Sequence, residues 1–474
     1  MDTQHASRYL DTLWADSILP TLCDYIRIPN VSPLFDPDWE AHGYMDKALT
    51  LLRDWAATQP IKDMRIEVQH LPGRTPLLLL EIPGSGTGTV LLYGHLDKQP
   101  PMAGWRDGLG PWQPVIENAR LYGRGGADDG YALFASLSAI ATLQQEGIPT
   151  SRCVVLIEAS EESGSPDLPA YIEALAERIG SPELVICLDS GCGNYDQLWC
   201  TTSLRGLIGG TLSAEVLSVA VHSGDAGGTV PDSFRILRRL LERLEDSASG
   251  RILPEVFYSP IPVARIDQAE QVAVALADGT EERFPLIEGV RLQGDSPLEQ
   301  ILNRTWRPCL GVIGADGLPA TAEAGNVHRS RTALRLSLRL PPSCDADQAS
   351  QALQELLEAD PPSGVQVRFD SDWAATGWQA PDFSPWLEES LEAASQAIFG
   401  RPALHTGEGF SIPFMGMLGE RFPRAQFVIT GVLGPGSNAH GPNEFLDLDM
   451  AKKLSLCMAR VIADQFRSGK RADA

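Results

Sequence analysis

The sequence predicts an α/β fold, a mostly parallel sheet with flanking helices, into which a smaller α+β domain is inserted. Two observations lead to this prediction. Up to about residue 200, short apolar runs bounded by Gly, Pro or acidic residues alternate with helical patterns, which is typical of strands separated by helices in a parallel sheet. After residue 206, paired strand and helix patterns suit a small domain of split βαβ type.

The elements of the larger domain follow from their periodicity. Short apolar runs predict strands at residues 77–82, 90–93, 154–157 and 184–188. Helical spacing of apolar residues predicts helices at 9–26, 45–57, 131–146 and 168–179. Gly84, Gly86 and Gly88 imitate a phosphate-binding loop, but no helix follows them, so we expect a hairpin turn between two strands.

The smaller domain is predicted over residues 207–378, between the two parts of the larger domain at 1–206 and 379–474. Its strands are predicted at 208–221, 332–340 and 365–370, and its helices at 233–245 and 346–359. Residues 249–310 are polar and interrupted by proline, and no element is predicted there. The chain ends in a predicted helix at 450–466.

Composition excludes several classes of protein. With 38 Lys and Arg against 62 Asp and Glu, the 474-residue chain has a formal charge of −24, which disfavours nucleic acids and anionic membranes as partners. No apolar run approaches the length needed to cross a bilayer. Eight cysteines without a Cys-x-x-Cys pair indicate free thiols and predict a cytoplasmic location.

Histidine and carboxylate side chains follow the ends of the predicted strands. The carboxyl ends of parallel strands meet at one rim of an open sheet, where ligands of such folds bind. We therefore expect these side chains to converge. They are His95, Asp97, Glu161, Glu162 and Asp189, and with them we place Asp128 and Asp129, which lie in a glycine-rich turn just before a predicted helix.

A second imidazole, His440, lies in the segment 437–444 of the resumed larger domain. Two imidazoles with several carboxylates suit a pair of divalent ions such as zinc, manganese or cobalt. Taken singly, each motif has a plainer interpretation. His95 and Asp97 would form a hydrogen-bonded surface pair, and the acids at 128 and 129 would favour a helix N-terminus.

Taken together, these segments resemble the co-catalytic di-zinc metallopeptidases typified by carnosinase, cytosolic non-specific dipeptidase, aminoacylase and succinyl-diaminopimelate desuccinylase. The resemblance runs from about residue 20 to the C-terminus. It implies two divalent metal ions, with zinc expected and manganese or cobalt as alternatives. One ion would be held by His95, Asp128 and Asp189, and the other by Asp128, Glu162 and His440.

The same resemblance assigns catalytic roles. It implies that Glu161 is the general base and that Asp97 orients His95. It also implies that the Asp128–Asp129 peptide bond is cis.

Residues of the inserted domain complete the implied site. His222 matches a histidine that reaches the partner subunit's site, which implies a homodimer; without the resemblance it would be a structural histidine. Asn326 matches an oxyanion contact, and Arg339 and Ser411 match contacts to a substrate carboxylate. An Arg on an alternating strand could equally face water.

The function implied is hydrolysis of the amide bond of dipeptides or small peptides with a free carboxylate, by a metal-bridging water with Glu161 as base. The alternatives are an N-acyl amino acid deacylase or desuccinylase of the same family, and a catalytically silent peptide-binding relative. Three positions depart from the family pattern: Gly130, Gly407 and Lys98. None is a metal ligand, but the substrate preference of carnosinase is not carried over.

Overall fold

The computed structural model describes residues 1–86, 88–276, 283–284 and 286–472. The strands in chain order are β1 (Arg65–Gln69), β2 (Leu77–Ile82), β3 (Thr89–His95), β4 (Val115–Glu117), β5 (Arg120–Tyr122), β6 (Arg152–Glu158), β7 (Leu184–Cys187), β8 (Trp199–Leu204), β9 (Gly206–Glu215), β10 (Val221–His222), β11 (Cys309–Asp316), β12 (Val327–His328), β13 (Arg331–Leu340), β14 (Gln366–Ala375), β15 (Trp378–Gln379), β16 (Leu404–Glu408), β17 (Gln426–Ile429) and β18 (Phe445–Asp447). The helices are α1 (Thr3–Leu13), α2 (Leu19–Ile26), α3 (Trp39–His42), α4 (Tyr44–Ala57), α5 (Ala132–Gln145), α6 (Leu168–Ala174), α7 (Ala176–Ile179), α8 (Ser223–Ala226), α9 (Ser233–Leu241), α10 (Val263–Ala275), α11 (Pro297–Thr305), α12 (Ala346–Glu358), α13 (Pro385–Phe399), α14 (Pro413–Arg421) and α15 (Leu448–Ala472).

Within the described residues, the larger sheet has nine strands in the order β1-β2-β6-β3-β7-β17-β8-β15, with β16 also paired to β8. Its centre is parallel: β3 pairs in parallel with β6 and β7, and β17 with β7. Antiparallel strands β1 and β2 form one edge. The predicted mostly parallel sheet is confirmed as a mixed sheet with a parallel centre.

Both faces of this sheet are covered, so its strands are apolar on both sides. In β2, Leu78 and Leu80 belong to one buried cluster, and Leu77 and Leu79 to the other. This alternation follows from the two-residue period of a strand. Helices α5 and α15 lie on the first face, and α6 and α14 on the second.

The hairpin predicted at the glycine-rich turn is wrong. Strands β2 and β3 are not neighbours, because β6 lies between them and pairs with both. The glycine at 84 instead passes close to another segment, since a Cβ there would lie 2.2 Å from the carbonyl carbon of Ser151. The glycines therefore allow a close crossing of two backbones rather than a two-strand turn.

The smaller sheet is antiparallel, in the order β11-β13-β9-β14, with α9 and α12 packed on it. This agrees with the predicted separate α+β unit. The strand predicted at 208–221 ends earlier, at Glu215, because β13 begins at its partner Arg331 and β14 at its partner Gln366. Beyond that point the backbone N–H groups of Val216 and Leu217 donate to the oxygen of Ser330, and Val221 belongs to the separate strand β10.

The stretch 249–310, where the sequence predicted no element, contains α10 and α11. Both helices contact β16 of the larger sheet, and Val272 and Ile301 join the first buried cluster. Part of the stretch thus packs beside the larger sheet. The domain boundaries at 206 and 378 stay a prediction.

Two further properties bear on the predicted surroundings of the protein. All eight cysteines are free thiols. In the described part of the chain, no helix combines the length and the apolar character that a membrane crossing requires.

Candidate active site

The side chains predicted to converge lie at one rim of the larger sheet. His95 is the last residue of β3, and its neighbours β6 and β7 run parallel to it. The turn Glu161–Ser163 follows β6, and Asp189 follows β7. The topology therefore brings three loops side by side.

One group of ligand-type atoms consists of His95, Asp128 and Asp189. Nε2 of His95 lies 3.5 Å from Oδ1 of Asp128 and 3.8 Å from Oδ2 of Asp189. Nε2 of His95 is buried and has no hydrogen-bond partner among the described residues. A buried imidazole nitrogen that faces two carboxylates and accepts no hydrogen bond is suited to bind a metal ion.

The other group consists of Asp128, Glu162 and His440. Nε2 of His440 lies 3.0 Å from Oδ2 of Asp128 and 3.2 Å from Oε2 of Glu162. Asp128 thus presents one carboxylate oxygen to each group. The carboxylate of Asp128 could therefore bridge two cations.

The charges in this rim need compensation. Burial, and next the charge of Asp189, raise the pKa of Glu161 well above its usual value. Burial also raises the pKa of Asp189 to about 7. Burial alone would raise the pKa of Asp128 too, but hydrogen bonds from His440 and His95 hold it below its usual range. Clustered carboxylates that resist ionisation together are stabilised by divalent cations, so the residues present fit two such ions.

Asp97 contacts both His95 and the acidic turn. Its Oδ1 lies 3.4 Å from Nδ1 of His95, and its backbone oxygen lies 3.1 Å from the same nitrogen. The two carboxylate oxygens accept hydrogen bonds from the backbone N–H groups of Glu161 and Glu162, at 3.1 and 3.0 Å. Asp97 therefore links the first histidine to the turn that carries Glu161.

The expected cis peptide bond between Asp128 and Asp129 is confirmed. Asp129 is fully buried, and its Oδ2 accepts a hydrogen bond of 3.3 Å from the backbone N–H of His95. The pair thus separates two tasks, because Asp128 faces the ligand atoms while Asp129 contacts the end of β3.

An ion pair that the sequence analysis missed supports the Asp128 turn. Nη1 of Arg124 donates to Oε2 of Glu444 at 2.6 Å, and both side chains are buried. Oε1 of Glu444 accepts from the backbone N–H of Gly125 at 2.9 Å. Both residues lie inside the predicted motifs, but 320 positions separate them, so only the tertiary structure reveals the pair.

Two of the positions that depart from the family pattern, Lys98 and Gly130, are explained by their immediate neighbours. Nζ of Lys98 is buried and donates to the backbone oxygens of Tyr25 and Ile28 at the end of α2, both at 2.8 Å. A Cβ on Gly125 would lie 2.6 Å from Cγ of Lys98, so the lysine packs directly under the Asp128 turn. A Cβ on Gly130 would lie 2.3 Å from Cε1 of Tyr25, which excludes a side chain there.

The predicted substrate residues fall into two sets. Nη1 of Arg339 donates to Oγ of Ser411 at 3.1 Å, and Ser411 lines the same cavity as Asp128, Asp189 and the other ligand residues except His95. The cavity has a volume of about 740 Å³. His222 and Asn326 are exposed and are not among its described lining residues, but they are near each other, since the backbone N–H of Ser223 donates to the oxygen of Asn326.

Comparisons with known proteins agree with this geometry. The sequence pattern of peptidase family M20/M25/M40 matches residues 91–464. A cysteinylglycine-S-conjugate dipeptidase of Corynebacterium striatum is 27% identical over 82% of this chain and 84% of its own length. The Beta-Ala-His dipeptidase of Homo sapiens is 25% identical over 92% of this chain and 87% of its own.

Solved structures of this family share the fold. The dipeptidase Dug1p from Saccharomyces cerevisiae superposes with a TM-score of 0.77 at 22% identity, covering 98% of this chain and 99% of its own. Human carnosine dipeptidase 1 gives the same TM-score, identity and coverage.

Fold and rim together define a metal-dependent hydrolase of the peptidase class. The chain belongs to peptidase family M20/M25/M40. The predicted family and the prediction of a metallopeptidase are both confirmed.

We expect the zinc-loaded protein to hold two ions per chain. Asp128→Asn should lower the zinc content below one equivalent, because one oxygen of Asp128 belongs to each group. Asp97→Asn should weaken zinc binding by roughly 10- to 100-fold, as for other residues that orient a metal ligand. Elemental analysis after dialysis against a chelator series measures both effects.

Glu158→Gln is the matched control. Glu158 is 2% exposed and Asp128 is 5% exposed, but Glu158 belongs to neither ligand group. Burial raises the pKa of Glu158 to about 7, so an amide resembles the protonated form that is already populated near neutral pH. The control should keep two zinc ions, and an equal loss in both variants would contradict the assignment.

Proposed function

We propose that this metallopeptidase is a dipeptidase that hydrolyses the amide bond of dipeptides, or of small peptides with a free carboxylate. The observation that carries the proposal is the shared cavity. Four residues of the two ligand groups line it together with Glu161 and Ser411: Asp128, Glu162, Asp189 and His440. The dipeptidase activities named for the relatives from C. striatum and Homo sapiens support a peptide substrate.

Two divalent cations, zinc being the first candidate, would polarise the scissile carbonyl and acidify the attacking water. His95, Asp128 and Asp189 would hold one cation, and Asp128, Glu162 and His440 the other. The same donor set also suits manganese or cobalt.

Glu161 is proposed as the general base. Its Oε2 lies 4.0 Å from Nε2 of His95, so it stands beside the ligand atoms without belonging to either group. Because burial raises its pKa, its carboxylate holds a proton more readily than a surface glutamate does. Glu161 would take the proton from water and give it to the leaving amine, while Asp97 fixes the position of its backbone.

Arg339 and Ser411 are proposed to bind the free carboxylate of the substrate. The guanidinium and the hydroxyl are already in contact, and Ser411 faces the cavity. A paired cation and hydroxyl suit a carboxylate, which favours short substrates over long chains.

His222 and Asn326 are proposed to act on the partner subunit's site in a homodimer. His222 ends β10 and Asn326 directly precedes β12, and both exposed residues are absent from the described lining of this chain's own cavity. Two large apolar side chains of this part of the chain are exposed, Val219 at 65% and Ile313, on β11, at 62%. Strand β11 is an edge of its sheet, and an apolar exposed edge strand favours association.

We expect the zinc-loaded protein to release free amino acids from a panel of dipeptides, faster than from N-acetyl and N-succinyl amino acids. Glu161→Gln should lower kcat by roughly 10²- to 10⁴-fold while the zinc content stays near that of the wild type. Mass spectrometry of the products and elemental analysis of the same samples measure both.

Cleavage of the acyl amino acids alone would replace the dipeptidase proposal with that of a deacylase. No cleavage of either class by the fully metal-loaded protein would favour a silent peptide-binding relative. Full activity of Glu161→Gln would overturn the role of this residue.

A shared site also predicts complementation between subunits. Mixed and reassembled His222→Ala and Glu161→Gln chains should regain part of the activity, because one site of each heterodimer then combines an intact Glu161 with the partner's intact His222. The matched control mixes Glu161→Gln with His440→Ala. Both defects then lie in residues that each chain uses for its own site, so no activity should return.

Recovery in the control pair, or none in the test pair, would contradict a shared site. Heterodimer formation is verified by native mass spectrometry.

A further inference from the structure

The cavity of the candidate active site has a wall that comes from the stretch between α10 and α11. Arg283 and Phe284 line this cavity together with Asp189 and Ser411. No part of the family resemblance assigned a role to this stretch. Two of its described residues, Arg283 and Phe284, nevertheless reach the cavity of the candidate active site.

Arg283 and Phe284 also line a second, smaller cavity of about 280 Å³. The two cavities therefore share a wall, and the smaller one adjoins the candidate active site. Its volume suits one side chain of a substrate rather than a whole ligand.

Three guanidinium groups, those of Arg205, Arg283 and Arg304, line this second cavity. Among the described residues that line it, none is acidic. The nearest carboxylate in contact with the group is Glu408, which is 1% exposed and ends β16. In a chain with a net charge of −24, this is a local concentration of positive charge.

Two of the three arginines already use their donors. Arg205 donates to the backbone oxygens of Gly409 and Arg307. Nη1 of Arg304 donates to Oε2 of Glu408 at 3.1 Å. Both side chains therefore have a structural explanation.

Arg283 differs from these two. Its Nη2 lies 3.8 Å from Oε2 of Glu408, beyond hydrogen-bond distance, and no other described carboxylate forms an ion pair with it. Its side chain is 21% exposed and borders both cavities. Arg283 thus has donors available for a ligand.

The positive charges of the three guanidinium groups also favour the binding of an anion in the second cavity. Burial, and next the nearby Arg283, lower the pKa of Arg304 to about 10, although Glu408 opposes this. One carboxylate does not neutralise three guanidinium groups. An anionic group in the second cavity would reduce the repulsion among the guanidinium groups and accept hydrogen bonds from the available N–H groups of Arg283.

We propose that the second cavity is a specificity subsite for an acidic side chain, so that the preferred substrates are short peptides containing Asp or Glu, with Arg283 as the residue that recognises the side-chain carboxylate. This inference rests on the proposed peptidase function. It adds a second anionic group to the free carboxylate assigned to Arg339 and Ser411. Phe284 would contact the apolar part of the same side chain.

The test compares kcat/KM for isosteric substrate pairs, Ala-Glu with Ala-Gln and Glu-Ala with Gln-Ala, using the zinc-loaded full chain. In at least one pair the acidic member should be preferred by roughly 10- to 100-fold, as for a hydrogen-bonded charge pair. Arg283→Gln should abolish this preference by raising KM for the acidic substrate, with a much smaller change for the neutral substrate. Arg283→Lys should keep part of the preference.

Arg291→Gln is the matched control, because Arg291 lies on the same stretch but is exposed and lines neither cavity. It should keep the full preference. Hydrolysis of both members of each pair at equal rates by the wild type would overturn this inference and leave the dipeptidase function standing. An equal loss with acidic and neutral substrates in Arg283→Gln would also overturn it, since a structural role has that effect.

If no dipeptide is cleaved by protein that holds its zinc, the proposed function itself fails. The inference then fails with it. The two failures are therefore distinguishable.

Discussion

The crowding of carboxylates at one rim of the larger sheet is the constraint on which the rest of the site depends. Asp128, Glu161, Glu162 and Asp189 have side chains at most 12% exposed, and each has a carboxylate oxygen within 4.0 Å of an imidazole nitrogen of His95 or His440. Such a cluster is stable only if cations neutralise it or protons remain on it. The pKa values of Glu161 and Asp189 are raised because these carboxyl groups are buried close to other acidic groups. Two divalent ions would neutralise this cluster, and each oxygen of Asp128 already faces one of the two groups.

The surrounding structure serves to hold this crowded rim in place. Glu444 and Arg124 support the turn of Asp128 from one side, and Lys98 packs under the same turn from the other. Asp97 fixes the turn of Glu161 through two backbone N–H groups. These contacts come from distant segments, so the turns that carry the ligand atoms are tied to the rest of the fold.

Many of the site residues could be predicted from the sequence because their positions follow from local sequence patterns. A strand end followed by His95 or Asp189 places a side chain at the rim without any knowledge of distant contacts. The order of strands was less accessible, since the glycines before β3 suggested a hairpin, whereas pairing with β6 depends on residues 152–158 far along the chain. The stretch around Arg283 has no clear periodicity. Its approach to the cavity depends on the packing of α10 and α11 against β16, which no local pattern encodes.

The central claim is that this rim holds two cations that share Asp128. Anomalous diffraction from zinc-loaded crystals, recorded on both sides of the zinc absorption edge, tests it most directly. We predict two peaks per chain, one among His95, Asp128 and Asp189 and the other among Asp128, Glu162 and His440. A single peak, or two peaks without Asp128 between them, would contradict the account.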